Sequence, residues 1–201
     1  MTTTIYGVSG SRALRSLWGI EEVGIEYTHV PTHFIDDTKT DEYLGVNPNG
    51  RIPALVDGDL TLFESMAINL YLTKTYAPAL YPKTPADEAM AIQWSVWAIS
   101  EIEPLQMKIV VERFFNQDNM DQGIIDDATQ ALERPLTVLN DQLANQPYLL
   151  GHEFSVADLN VAGVMLLLRM LQFDLSGFGN ITKWTERCYD RDALKKAQAL
   201  S

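Results

Sequence analysis

Hydrophobic positions change their spacing partway along the 201 residues. Up to about residue 76, short runs switch between strand and helix periods. Beyond about residue 86, every long pattern has the helical period. The β-prone TTTIYGV (2–8) leads into Arg12–Val23, where Ala13, Leu14, Leu17, Trp18 and Ile20 share one helical face and Gly24 follows as a stop. IEYTHV (25–30) alternates as a strand does, and Pro31 closes it. A polar stretch with weak helical content (36–45) runs into the turn signal NPNG, after which IPALV and LTLF flank Asp57-Gly58 as a hairpin. Ser65 then reads as the N-cap of MAINLYLTKTYA, whose Ala67, Ile68, Leu70, Tyr71 and Leu72 return to helical spacing.

The predicted order is βαβαββα over residues 1–76, a small α/β domain. Two strands joined by a helix pair in parallel, and the hairpin adds an antiparallel pair. The proline-rich APALYPKTPAD supplies a linker at 77–85. Residues 86–201 form an all-α C-terminal helical bundle. In it, a long helix (86–116) kinks near Pro104, and a second (121–144) is interrupted at Pro135. Ser155 and Asp158 are spaced as a capping box ahead of VADLNVAGVMLLLRM. That helix is apolar on most faces and is expected to be central and buried. Trp94, Trp97, Met107, Phe114 and Phe115 on the long helix read first as core.

Charge and cysteine content narrow the function classes. The net charge is −12, from 27 acidic and 15 basic residues, and no run of Lys and Arg offers the basic patch that nucleic-acid binding needs. No apolar stretch approaches the roughly 20 residues that span a bilayer, and MTTTIYG lacks the pattern of a signal peptide. One cysteine, Cys188, forms no internal disulfide and provides no Cys-x-x-Cys for dithiol exchange. A cytoplasmic protein with neither membrane nor nucleic-acid partner is expected. His29 and His33 do not share a helical face and no other ligand cluster joins them, so no metal site is expected.

Three stretches carry candidate chemistry. Pro53 stands at the head of a strand and lacks an N–H, which leaves the backbone of Ile52 able to pair with an extended peptide-like ligand. An ordinary loop entering an edge strand is the other reading. A Glu64-Ser65 pair at a helix start can hold an amino-acid zwitterion, with the carboxylate on the helix N-terminus and the ammonium on Glu64. In YGVSGSRALRSLW, Ser9 and Ser11 place hydroxyls where a strand ends and a helix starts, with Arg12 beside them.

In this order, S-x-S-R, NPNGRIPAL, the Asp-Gly hairpin and L-F-E-S-M-A-I-x-x-Y-L resemble the N-terminal domain of cytosolic glutathione transferases. The helical half opened by SVAD resembles that family's C-terminal domain. The resemblance covers nearly the whole chain and suggests a serine-containing member of bacterial type. It implies a thioredoxin-like domain joined to a helical one, a homodimer, and glutathione as co-substrate with no metal. It further implies that Ile52 pairs with the cysteinyl backbone of glutathione, that Pro53 is cis, and that Glu64 and Ser65 hold the γ-glutamyl end. Arg51 and Lys39 are candidates for the glycyl carboxylate, with plain solvation the default for Lys39.

A hydroxyl near the first strand would stabilise the glutathione thiolate. A thiol of pKa ~8.5 is only about 3% ionised at pH 7, and lowering it by two units takes ~2.7 kcal/mol. The family's serine falls nearest Gly10, between the two candidates. Ser11 is ranked ahead of Ser9, with Arg12 as supporting charge and Tyr6 third. The implied function is detoxifying transfer of glutathione to an apolar electrophile that meets the long helix. The alternatives are a non-catalytic stress or regulatory binding protein of the same fold, and a glutathione-dependent isomerase or peroxidase. The Ser-Ser-Cys motif of the family's isomerases is absent.

Overall fold

The computed structural model describes residues 3–200; Thr2 of the expected first strand, and the outer residues of both expected domains, lie outside them. The chain divides into two compact units, one running through Pro85 and resuming at Tyr189, the other spanning Ala86–Cys188.

In the first unit, β1 (Thr3–Tyr6), α1 (Leu14–Val23), β2 (Tyr27–Val30), α2 (Asp41–Val46), β3 (Ala54–Asp57), β4 (Leu60–Phe63) and α3 (Ser65–Tyr76) follow the expected βαβαββα order. The four-stranded sheet runs β2-β1-β3-β4, with β1 parallel to β2 and the remaining pairs antiparallel. This mixed sheet with its helices is the thioredoxin-like architecture read from the sequence. Ile5, Leu55, Leu17, Trp18, Ile20, Ile68 and Leu72 are fully buried.

Helices α1 and α3 meet closely at Gly19, where a Cβ would stand 2.3 Å from Asn69 Oδ1. Asn69 Nδ2 also donates to the Arg15 carbonyl at 3.1 Å. The hairpin differs slightly from expectation: Asp57 ends β3, and Gly58 and Asp59 make the turn. Inside the sheet's end, the Asp57 carboxylate accepts from Thr3 Oγ1 (2.9 Å), Tyr71 OH (2.6 Å) and Tyr76 OH. Burial alone would push this carboxyl up, but the hydroxyl donors together hold it below its ordinary 3.8.

A final helix, α9 (Asp192–Gln198), belongs to this unit although the sequence reading grouped residues 86–201 together. Arg191 clamps Glu22 of α1 through two bonds of 2.5 and 2.6 Å, and Trp18 Nε1 donates to the same carboxylate at 2.8 Å. Pairing across 169 positions leaves no local trace in sequence.

The second unit is helical: α4 (Pro85–Trp97), α5 (Glu103–Val110), α6 (Gln122–Gln142), α7 (Val156–Met170) and α8 (Gly179–Tyr189). Ahead of Pro104, the long helix widens into a π turn, Ala98–Ile102, in which Glu103 N–H reaches back to the Ala98 carbonyl. A proline cannot complete the normal ladder, and the wider turn absorbs the misfit. The expected interruption at Pro135 does not occur. Instead, α6 runs through it, holding Pro135 buried with Leu132, Leu136 and Leu139. One lost backbone bond costs less than giving up that buried face.

Helix α7 is the buried centre expected. At its start, Asp158 accepts from the Ser155 N–H (3.0 Å) and hydroxyl (2.9 Å), from Leu149 N–H (2.8 Å) and from Trp184 Nε1 (2.9 Å). Of the large side chains read as core, Trp94 is buried and Trp97 and Met107 are half-buried. Phe114 and Phe115 are 49% and 70% exposed, a correction: they sit on a second π turn, Val111–Phe115, that faces outward.

Candidate functional site

Strand register gathers the candidate residues at one end of the sheet. Tyr6 of β1 pairs with Ala54 of β3, which pairs with Phe63 of β4. The segments just past that row are Gly7–Arg12, Ile52-Pro53 and Glu64-Ser65, so all three stretches singled out in the sequence emerge together. Gly7, at φ 140°, makes the first turn: a Cβ there would collide with Ala13 Cβ at 2.3 Å and would lie 3.6 Å from Ile52 Cβ. Only glycine fits, and Ile52 lies directly against this junction.

The two serines differ in what their hydroxyls touch. Ser11 Oγ donates to the Val8 carbonyl at 2.7 Å and accepts from Ala13 N–H at 3.1 Å, so it caps the turn that opens α1. Ser9 is half-buried, and its hydroxyl makes no hydrogen bond among the described residues; the same holds for the N–H groups of Val8, Ser9 and Gly10. Arg12 is exposed at the same turn. Tyr6 packs edge-on against Tyr43, ring centroids 5.8 Å apart, as a strand residue.

The Ile52-Pro53 bond is cis. Ile52 is half-buried, and its N–H and carbonyl make no hydrogen bond among the described residues. The loop before it is braced on all sides. Asn47 Nδ2 and Tyr43 OH both donate to the Arg51 carbonyl, at 2.6 and 2.7 Å, and Asn49 N–H donates to Asn47 Oδ1 at 3.1 Å. Burial pushes the Tyr43 hydroxyl up to about 12, which keeps it a donor. Lys39 Nζ donates to the Gly50 carbonyl at 2.9 Å; its amine braces this loop and is not merely solvated. Arg51 is exposed, with no side-chain partner among the described residues.

Glu64, not Ser65, occupies the N-cap of α3, and no side-chain cap bond forms, which corrects the sequence reading. Glu64 stands at φ 71°, a region non-glycine residues enter at a cost. Its exposed carboxylate, the largely buried Ser65 hydroxyl, and the N–H groups of Ser65, Met66 and Ala67 have no partners among the described residues. The first helical bond runs from Ile68 N–H to the Glu64 carbonyl at 3.0 Å. Acceptor and donor groups thus stand ready side by side at a helix N-terminus.

Sequence reasoning missed His29, Tyr43 and Asn47 as supports. Asn47 carried a signal, since Asn-x-Asn is able to close an Asx turn. His29 carried none: Nε2 meets the Gly7 carbonyl at 2.7 Å across the parallel strands. Among the described residues, no group of three or more His, Cys, Asp or Glu side chains is placed to hold a metal ion, and no helix is long and apolar enough to cross a membrane.

A thioredoxin-like sheet with its cis-Pro loop, followed by a helical unit with a capped central helix, is the two-part architecture that the family resemblance implied. Residues 1–74 match the glutathione S-transferase N-terminal domain and residues 102–192 the C-terminal domain. Glutathione S-transferase 1 of Zea mays is 31% identical over 207 residues, covering 98% of this chain and 95% of that one. The chain belongs to the glutathione S-transferase family. Among solved structures, the glutathione-bound theta class enzyme of Xanthomonas axonopodis pv. citri superposes with a TM-score of 0.89 at 29% identity, covering 100% and 98% of the two chains. The maize glutathione S-transferase I in complex with an atrazine glutathione conjugate gives 0.88 at 29% identity, covering 99% and 97%.

Proposed function

We infer that the protein transfers glutathione to an apolar electrophile and that Ser9, ahead of Ser11, stabilises the thiolate. The observation that carries this reading is the division of labour at the β1–α1 junction. The Ser11 proton is committed to the Val8 carbonyl, whereas the Ser9 hydroxyl is unspent. A hydroxyl donating to sulfur favours the thiolate over the thiol, and the adjacent N–H groups and the Arg12 charge act in the same direction. The thiol proton leaves to solvent. The sulfur lone pair then forms the new C–S bond as the electrophile's leaving group departs with its electrons, with no covalent bond to the enzyme.

Glutathione would lie along the gathered edge. Its cysteinyl backbone would pair with Ile52, its γ-glutamyl carboxylate would take the N–H groups and hydroxyl at Ser65, its ammonium would meet Glu64, and Arg51 would serve the glycyl carboxylate. With its amine on Gly50, Lys39 acts by shaping the loop. An apolar electrophile is in keeping with the atrazine glutathione conjugate bound by the maize relative. The same reading gives a serine-type, cytoplasmic homodimer engaged in detoxification.

Calorimetric titration with reduced glutathione, followed by conjugation of an activated aryl chloride, tests this. Saturable binding is expected, with kcat/KM at least about tenfold lower in Ser9→Ala and the bound thiol titrating at higher pH. Absence of binding at millimolar glutathione, or full activity in Ser9→Ala, would overturn it.

A further inference from the structure

The turn that carries Ser9 cannot be braced by a side chain at its own first residue, because residue 7 has no room for a Cβ. It is held instead through its carbonyl groups. A peptide unit is planar, so fixing a carbonyl also fixes the direction of the N–H on the same unit and the path to the next Cα. The Ser11 hydroxyl holds the Val8 carbonyl and so sets the Val8–Ser9 peptide. The Gly7 carbonyl, and with it the Gly7–Val8 peptide, is held by the His29 imidazole at 2.7 Å. A carbonyl oxygen only accepts, so Nε2 carries the proton, and both the neutral ring in that tautomer and the charged ring donate there. The strand register supports this contact from beneath, with Ile5 opposite His29 and Gly7 N–H bonded to the Val30 carbonyl at 3.1 Å.

We propose that His29 is a positioning residue of the thiolate site: by anchoring the Gly7 carbonyl from the neighbouring strand, it fixes the Val8 N–H and the path of the turn that presents the Ser9 hydroxyl. The role rests on Ser9 being the partner of the thiol. His29 touches neither glutathione nor the reacting atoms. Its effect therefore belongs to the chemical step and to the thiol's ionisation, while binding through Ile52, Glu64 and Ser65 is left intact.

The test compares wild type, His29→Phe, His29→Gln and Ser9→Ala. In each, thiolate absorbance of bound glutathione is followed across pH, together with kcat on an activated aryl chloride and KM for glutathione. In His29→Phe the thiol titration moves up by about one pH unit, so that at pH values below both titrations the thiolate fraction and kcat each fall about tenfold. The KM for glutathione stays within about twofold of wild type, and His29→Gln, which keeps an N–H donor, restores both thiol titration and kcat. Should His29→Phe fail to fold, His29→Val, suited to an edge strand, replaces it. An unshifted thiol in folded His29→Phe, with Ser9→Ala shifted, overturns the role of His29 alone. No shift in Ser9→Ala removes the Ser9 reading, and the role of His29 with it. Failure of His29→Gln to rescue, or loss of folding in both apolar variants, leaves His29 a structural residue only and overturns the proposal.

Discussion

A serine hydroxyl has one proton to donate, and at Ser11 that proton is committed to Val8 while a lone pair takes Ala13 N–H. Ser11→Ala is therefore expected to cost about 1 kcal/mol of stability, the usual effect of a lost cap. Ser9→Ala should leave urea unfolding nearly unchanged and fall on activity instead. Asp57 gives a second contrast at this scale. Its folded-state pKa lies below the unfolded value of 3.8, so the stability it contributes is complete above that value and is lost as pH falls through the folded pKa. Asp57→Asn should lower stability at pH 7 by about 1–2 kcal/mol. It should also flatten the acid limb of a stability-against-pH curve; an unchanged acid limb would contradict the Tyr71, Tyr76 and Thr3 assignment. Read from its neighbours in the chain, Asp57 has only a turn's role, because neither tyrosine stands near it.

At the scale of single elements, packing overrides local preference in particular places. Gly19 sits mid-helix, where glycine is unfavourable, because Asn69 occupies the space a Cβ would need. Gly19→Ala should destabilise by about 1–3 kcal/mol despite its better helix propensity. Combined with Asn69→Ala, it should cost less than the sum of the two single changes, a coupling that a double-mutant cycle in urea would read. Pro104 and Pro135 make the same point from the other side. Both are helix breakers by rule, yet one is accommodated by a π turn and the other rides inside α6 on a buried leucine face. Periodicity read the helices correctly. The prolines could be judged only once it was known what each helix face packs against.

For the whole molecule, the informative feature is that the chain returns. After the helical unit, Tyr189 and α9 rejoin the first unit, and Arg191 closes on Glu22 beside Trp18. Arg191→Met should reduce stability by about 1–3 kcal/mol, since it leaves a nearly buried carboxylate with only its indole donor. Hydrogen exchange should show faster opening of α1 in that variant; protection equal to wild type would argue against the clamp. The sequence by itself determined the βαβαββα order, the helical second half, the family and the three stretches that meet at the site. These are set by local spacing, turn chemistry and short motifs, all written within a few residues. Only the tertiary structure decided which serine has a proton to give, that Lys39 and His29 brace the site's loops, and that the last helix returns to the first unit. Each of those depends on partners brought together by strand register or chain return, and a hydrogen bond's second member is invisible until the fold supplies it.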